Sequence, residues 1–244
     1  DGWGTPDQLA REEKLPSATQ VIEQTVRTIL SRNDSPDISF DLSINPYRGC
    51  EHGCIYCFAR PTHSYLNLSP GIDFETRIVA KTNAAERLRE AFARRGYAPR
   101  LLNLGSATDA YQPVERRLRI TRRLIEVLFE CGHAFSLVTK SSGVERDLDL
   151  IGPMAARRLA AVYVSITTLD GALARILEPR AASPQRRLRT IATLAADTEG
   201  LIRMALDGIR LVHADPEMAG VHIMGGLSNL PQHLPAKAAD GSDL

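Results

Sequence analysis

The sequence has no excess charge of either sign: 30 Lys plus Arg stand against 29 Asp plus Glu, for a formal net charge of +1. That balance excludes a global field steering the chain toward nucleic acid or anionic lipid, so any polyanion site must be local. No apolar run approaches the roughly 20 residues that span a bilayer. Asp1 to Leu15 is polar and lacks a signal-peptide stretch, so no membrane partner is expected and a cytoplasmic location is. Cysteine is scarce, four in 244 residues, which excludes a disulfide-built secreted scaffold. What is present, 43% hydrophobic and 24% charged residues, is the composition of an ordinary globular protein and excludes disorder, coiled coil and collagen. The length fits one α/β barrel or two smaller domains.

Residues 1–36 are polar with one helical patch around Val21 to Leu30, and read as an N-terminal extension packing on the main domain. From Phe40 the pattern changes. Phe40, Leu42 and Ile44 alternate with polar residues until Asn45-Pro46 and Arg48-Gly49 stop the strand. Helical spacing follows over Asn83 to Arg95, then a short apolar strand over Arg100 to Gly105. Val114 to Glu130 is the clearest helix, with Ile120, Leu124, Val127 and Leu128 on one face. Phe135 to Val138 and Leu159 to Ile166 are strands, with a helix expected over Asp147 to Arg158 despite Gly152-Pro153. Gly171 to Ile176 and Pro184 to Ala196 read as helices. Strand and helix alternate four times, which predicts an α/β fold, a partial (β/α) barrel of four to five parallel strands over residues 37–197. Functional groups in such folds gather at the C-terminal strand ends, where the cysteines, Thr108-Asp109, Lys140 and Ser165 all fall.

Three of the four cysteines, Cys50, Cys54 and Cys57, form C-x3-C-x2-C. Disulfides would leave one thiol over, so a metal is the better use of that spacing. Zinc usually takes paired C-x2-C units and four ligands, and the second pair is absent. His52, between two cysteines, reads as an exposed loop residue rather than a fourth ligand. Three close thiolates suit three corners of a [4Fe–4S] cube whose fourth iron has no protein ligand.

The run Ser43 to Pro61, SINPYRGCEHGCIYCFARP, with Tyr56 just before the last cysteine, resembles the radical S-adenosylmethionine superfamily, and more narrowly its lyase-like bacterial branch related to spore photoproduct lyase. The resemblance runs from about residue 20 to about residue 195 and is carried further by Thr108-Asp109, Val138-Thr139-Lys140-Ser141 and Glu178-Pro179-Arg180. It implies that Cys50, Cys54 and Cys57 each ligate one iron and that S-adenosylmethionine chelates the fourth. An external electron donor then reduces the cluster, the cofactor is cleaved to a 5′-deoxyadenosyl radical, and hydrogen is taken from an unassigned substrate. It also implies that Tyr56 contacts the adenine, Lys140 pairs with the cofactor carboxylate, and Thr108 and Ser165 hydrogen-bond the cofactor. As residues alone, Tyr56 fits equally well a packed loop, Thr108 and Ser165 turns, and Lys140 a solvated strand-end charge. Gly105-Ser106-Ala107-Thr108 replaces the glycine-rich element of many members. Ser106 stands where the lyases carry a hydrogen-returning cysteine, and a hydroxyl is a far worse hydrogen-atom donor, so photoproduct repair is not expected. Cys131, at a helix end before Gly132, reads as a half-buried structural thiol.

Arg116, Arg117, Arg119, Arg122 and Arg123 crowd one helix, but no aromatic residues interleave for base stacking, so a solvated face is expected. Nucleic acid enters as a partner only through the family neighbourhood. Residues 198–244 follow another pattern: Leu206 to Arg210 and Val221 to Asn229 resemble a late portion of the pterin-binding barrel of methyltetrahydrofolate methyltransferases. This tail predicts a helix over Thr198 to Val212 and a strand over Val221 to Met224. The alternatives to a radical enzyme are thus a folate-dependent methyltransferase fragment and an iron–sulfur binding protein without catalysis.

Overall fold

The computed structural model describes residues 19–32 and 40–196. The expected helix and strand of the tail, its pterin likeness, and residues 1–18 lie outside the described residues.

The Val21 to Leu30 patch is not helical. It forms two short strands, β1 (Gln20–Gln24) and β2 (Leu30–Arg32), because β1 finds a partner strand far along the chain and β2 pairs with the strand that follows it. After β3 (Leu42–Ile44) and β4 (Tyr47–Arg48), a 3-10 turn over Arg60–Leu66 and the short helix α1 (Ile72–Thr76) lead into β5 (Arg77–Lys81). β1 pairs parallel with β5 and β4 antiparallel with it, giving a three-stranded sheet that sequence patterning missed. The main βα alternation then follows: α2 (Ala84–Phe92), β6 (Leu102–Leu104), α3 (Glu115–Leu118), α4 (Ile120–Glu130), β7 (Phe135–Thr139), α5 (Leu148–Ala156), β8 (Ala160–Val164), α6 (Gly171–Leu177) and α7 (Pro184–Ala196).

The main sheet has the order β2-β3-β6-β7-β8, with β3, β6, β7 and β8 parallel and β2 antiparallel at one edge. Four parallel strands with helical crossovers form the expected partial (β/α) barrel. β3 and β6 are buried along their whole length, as strands covered on both faces must be. Leu102, Leu104 and Leu137 of the sheet share one core with Leu124 and Leu128 of α4 and with Ile151 and Met154 of α5.

The expected stripe on α4 is buried as read. The helix does not run unbroken from Val114, however: Arg119 adopts φ +52° and divides α3 from α4. The buried carboxylate of Glu115 explains the break. It accepts from Thr121 N (3.0 Å) and Arg122 N (3.2 Å), satisfying the first amides of α4, and also from the Tyr47 hydroxyl. Of the five arginines, Arg122 is held by Asp147, Asp149 and Glu126. Among the described residues no helix is long and apolar enough to cross a membrane.

Candidate metal centre

The cysteines lie in a loop that begins as β4 ends and that distant segments hold in shape. Cys50 N donates to Phe74 O (2.8 Å), Glu51 N donates to Gln112 Oε1 (3.0 Å), and Gln112 Nε2 donates to Gly49 O (3.2 Å). Arg60 donates from Nε to Cys54 O (3.0 Å) and from Nη2 to Gly53 O (3.1 Å) and Glu75 Oε1 (2.5 Å). Arg180 donates through its backbone N–H to His52 O (3.2 Å), through Nε to Glu51 O and through Nη2 to Glu75 Oε2. Gly53 permits this closeness. Its φ is +68°, and a Cβ there would overlap Arg180 Nη2 and lie 2.8 Å from Glu75 Oε2.

All three loop cysteines are free thiols, Cys50 buried and Cys54 and Cys57 partly so. Burial pushes the Cys54 thiol up to about 12, with Lys140 opposing and Cys50 and Cys57 adding to the rise. Burial also raises Cys57, with Cys50 adding and Arg60 and Lys140 opposing. The three sulfurs therefore share one electrostatic neighbourhood, and Lys140 belongs to it.

Lys140, directly after β7, donates from Nζ to Ser165 Oγ (2.9 Å) at the end of β8. Its Nζ is 3.8 Å from Glu178 Oε1 and 6.0 Å from the Tyr56 ring centroid. The Tyr56 hydroxyl donates to Glu178 Oε1 and lies 2.9 Å from Thr167 Oγ1, which donates to the same carboxylate oxygen at 2.6 Å. Glu178 Oε2 accepts from Arg187 at 2.5 Å. Burial opposes the Glu178 charge, yet Arg187 and Lys140 hold its carboxyl below the usual range. Tyr56, Lys140 and Ser165 are thus brought together. Thr108 is not among them: it is buried, and its hydroxyl donates to Tyr47 O (3.3 Å).

Asp109 follows β6 and gathers the other strand ends. It accepts from Lys140 N (2.6 Å), Thr139 Oγ1 (2.7 Å) and Tyr111 N (2.8 Å). His52 Nδ1 stands 3.3 Å from Asp109 Oδ2. His52 is therefore not the exposed loop residue expected; it is buried against a carboxylate 57 positions away, a partner that local sequence cannot reveal. Burial disfavours its charge, but Asp109 and Cys50 together hold its pKa up, while His52 in turn holds the Asp109 carboxyl down.

Residues 44–205 match the radical SAM superfamily. The chain belongs to that superfamily. An uncharacterized protein of Mycobacterium bovis is 40% identical over 191 residues, covering 77% of this chain and 56% of the relative. Another, of Methanocaldococcus jannaschii, is 27% identical over 151 residues, covering 62% and 54%. The chain spans about half the length of these curated relatives. Among solved structures, spore photoproduct lyase complexed with dinucleoside spore photoproduct is similar with a TM-score of 0.53 at 18% identity, over 80% of this chain and 53% of that one. A mutant of that lyase with bound AdoMet and dinucleoside spore photoproduct gives 0.52 at 17% identity, over 81% and 53%. These likenesses show a radical SAM fold.

The radical SAM superfamily uses a [4Fe–4S] cluster and S-adenosylmethionine, and the residues present fit both. Among the described residues no group of three or more His, Cys, Asp or Glu side chains is arranged to hold a metal ion. A cubane takes one thiolate per iron, and Cys50, Cys54 and Cys57 are three free thiols on one braced loop. Ligation strips each thiol of its proton, and Lys140 and Arg60 supply the positive charge that favours this. Sequence reasoning gave no role in the site to Glu178, Thr167, Arg60 or Arg180, and placed Asp109 at a strand end without naming what it would hold. Glu178 and Arg180 were visible only as fragments of a family likeness, with nothing to say which atoms they would hold. Cys131 is exposed, not half-buried, and is a surface thiol at the end of α4.

Proposed function

We propose that this chain binds a [4Fe–4S] cluster at Cys50, Cys54 and Cys57, reductively cleaves S-adenosylmethionine, and transfers a hydrogen atom from a substrate. The observation that carries this reading is the braced loop of three free thiols with Lys140, Ser165 and Tyr56 gathered beside it. When bound, the cluster would supply the electron for reductive cleavage of S-adenosylmethionine, and with it the radical chemistry of hydrogen abstraction. The chain's own residues bind and orient. Lys140 pairs with the cofactor carboxylate, and Ser165 Oγ fixes its Nζ in place for that contact. Tyr56, half-exposed, offers its ring to the adenine while Glu178 and Thr167 hold its hydroxyl. Thr108 shapes the loop after β6 through its bond to Tyr47 O rather than reaching the cofactor.

Spore photoproduct lyase is solved with a dinucleoside photoproduct, so nucleic acid is the first substrate class to test here. Ser106 in place of a thiol argues for hydrogen abstraction without the lyase's hydrogen return. A reducing, cytoplasmic setting with a low-potential electron donor suits four free cysteines. Anaerobic reconstitution of the full chain with iron and sulfide tests the reading. It should give cluster stoichiometry and, on reduction with S-adenosylmethionine, release 5′-deoxyadenosine. Cluster without cleavage would leave an iron–sulfur binding protein, and methyltetrahydrofolate binding without a cluster would favour the methyltransferase reading.

A further inference from the structure

Two guanidinium groups and one carboxylate lie against the cysteine loop. Arg60 is committed at all three nitrogens, with Nε on Cys54 O, Nη2 on Gly53 O and Glu75, and Nη1 on Pro70 O (3.3 Å) and Gly71 O (3.1 Å). Arg180 holds Glu51 O and the other oxygen of Glu75. The side chains of Arg60, Glu75 and Arg180 are 16%, 15% and 25% exposed, so their charges are neither fully solvated nor free to turn away. Arginine stays protonated at any working pH, and the Glu75 carboxylate pairs with both guanidinium groups. Two cations and one anion leave a surplus positive charge fixed to the loop. Arg60 reaches a cysteine directly, its Nε lying 3.0 Å from the backbone oxygen of Cys54.

We propose that the Arg60–Glu75–Arg180 triad tunes the reduction potential of the cluster, its surplus positive charge favouring the reduced state. The inference rests on the cluster reading above. A one-electron, low-potential reductant makes the cluster one unit more negative, with no bond or proton changing at the triad. The added charge meets two fixed cations and one fixed anion. Removing a cation therefore lowers the potential, and removing the anion raises it. A triad that merely braced the loop would show no such opposition of sign, since breaking it at any member would loosen the same loop.

The test is a redox titration of the anaerobically reconstituted full chain, with dithionite as reductant and the paramagnetic signal of the reduced cluster as readout. Arg60→Gln and Arg180→Gln should each hold about tenfold less reduced cluster at a fixed solution potential, a downward shift of about 59 mV for a one-electron couple. That scale is what one charge on the order of 10 Å away exerts at an effective dielectric near 20. Glu75→Gln should shift the potential upward. Arg60→Lys, which keeps the charge and loses the fork, should stay close to the unaltered protein. If Arg60→Gln loses its iron, Arg180→Gln and Glu75→Gln must still oppose each other in sign. Shifts of the same sign in those two, or no shift in any variant, overturn the proposal. An unaltered chain that takes up no cluster shows no signal in any sample and overturns the reading of the site itself.

Discussion

Glu178→Gln isolates the most buried charge pair near the cofactor residues. The side chains of Glu178 and Arg187 are 0% and 1% exposed and meet at 2.5 Å. The substitution keeps the shape and removes the anion. Arg187 retains Ala182 O (2.7 Å) and Ser165 O (2.9 Å), so its guanidinium remains hydrogen-bonded without a counter-charge. Breaking a buried pair from one side costs about 3–5 kcal/mol, and the surviving carbonyls place this case near the lower end, about 3 kcal/mol. At about 2–4 °C per kcal/mol for a domain of this size, the midpoint should fall by about 6–12 °C. The Glu178 pKa is depressed in the folded state, so its contribution is present above the ordinary carboxylate value of 4.5 and is lost as pH falls below it. The gap between variant and unaltered protein should therefore close on acidification. Urea unfolding of the metal-free chain at pH 7 and at a series of lower pH values measures both effects. A loss under about 1 kcal/mol at pH 7, or a gap that persists into acid, would refute the reasoning. Glu178→Leu with Arg187→Met should recover much of the loss, since neither charge then stays buried alone.

Alanine at Cys50, Cys54 or Cys57 should abolish a stable cluster, while Cys131→Ala, at an exposed position, should leave iron content unchanged and cost under about 0.5 kcal/mol; iron and sulfide assays on the four proteins decide it. Lys140→Met should weaken S-adenosylmethionine binding by about 10- to 100-fold, the value of one charge-assisted contact, as equilibrium dialysis of the reconstituted chain measures. Gly53→Ala should destabilise the chain by about 2–4 kcal/mol, because a strained φ is added to displacement of Arg180 from Glu75, and denaturant unfolding reads this directly. His133 stacks on Phe92 at 4.5 Å and its Nε2 accepts from the Tyr97 hydroxyl (2.8 Å); burial lowers its pKa, so the neutral ring's contribution is present above the unfolded value of 6.5 and lost as pH falls below it. His133→Phe should flatten that part of the pH–stability profile.

The sequence was most readable where chemistry is local. The cysteine spacing, the apolar stripe of α4 and the placement of Lys140 and Ser165 at adjacent strand ends all depend on periodicities of a few residues, and the structure bears out the stripe and the placement. Long-range pairing was not readable. Val21 to Leu30 carries spacing compatible with a helix, but β5 and β3 recruit it as strands. β5 itself is only five residues and its apolar stretch shorter still, too little to separate strand from loop by pattern. The break at Arg119 depends on a buried carboxylate four positions earlier turning back to cap α4, whereas periodicity alone favours continuation. His52 reads as exposed because its neighbours are polar and glycine, and its burial follows from Asp109 on another strand end. Glu178, which joins Tyr56, Thr167, Lys140 and Arg187, is 122 positions from Tyr56 and carries no local signature of that role.

The braces on the cysteine loop also order events in time. Arg180 reaches Glu51 across 129 positions, and Ile55 N donates to Leu177 O (3.0 Å) over a similar span. Such non-local closures form late, after the intervening strands and helices have brought their ends together. On a chain synthesised from its N-terminus, the three thiols emerge long before the segment that shapes their loop. On the proposed cluster reading, metal insertion should follow folding, and a nascent chain halted before residue 180 displays all three cysteines without the guanidinium that closes their loop.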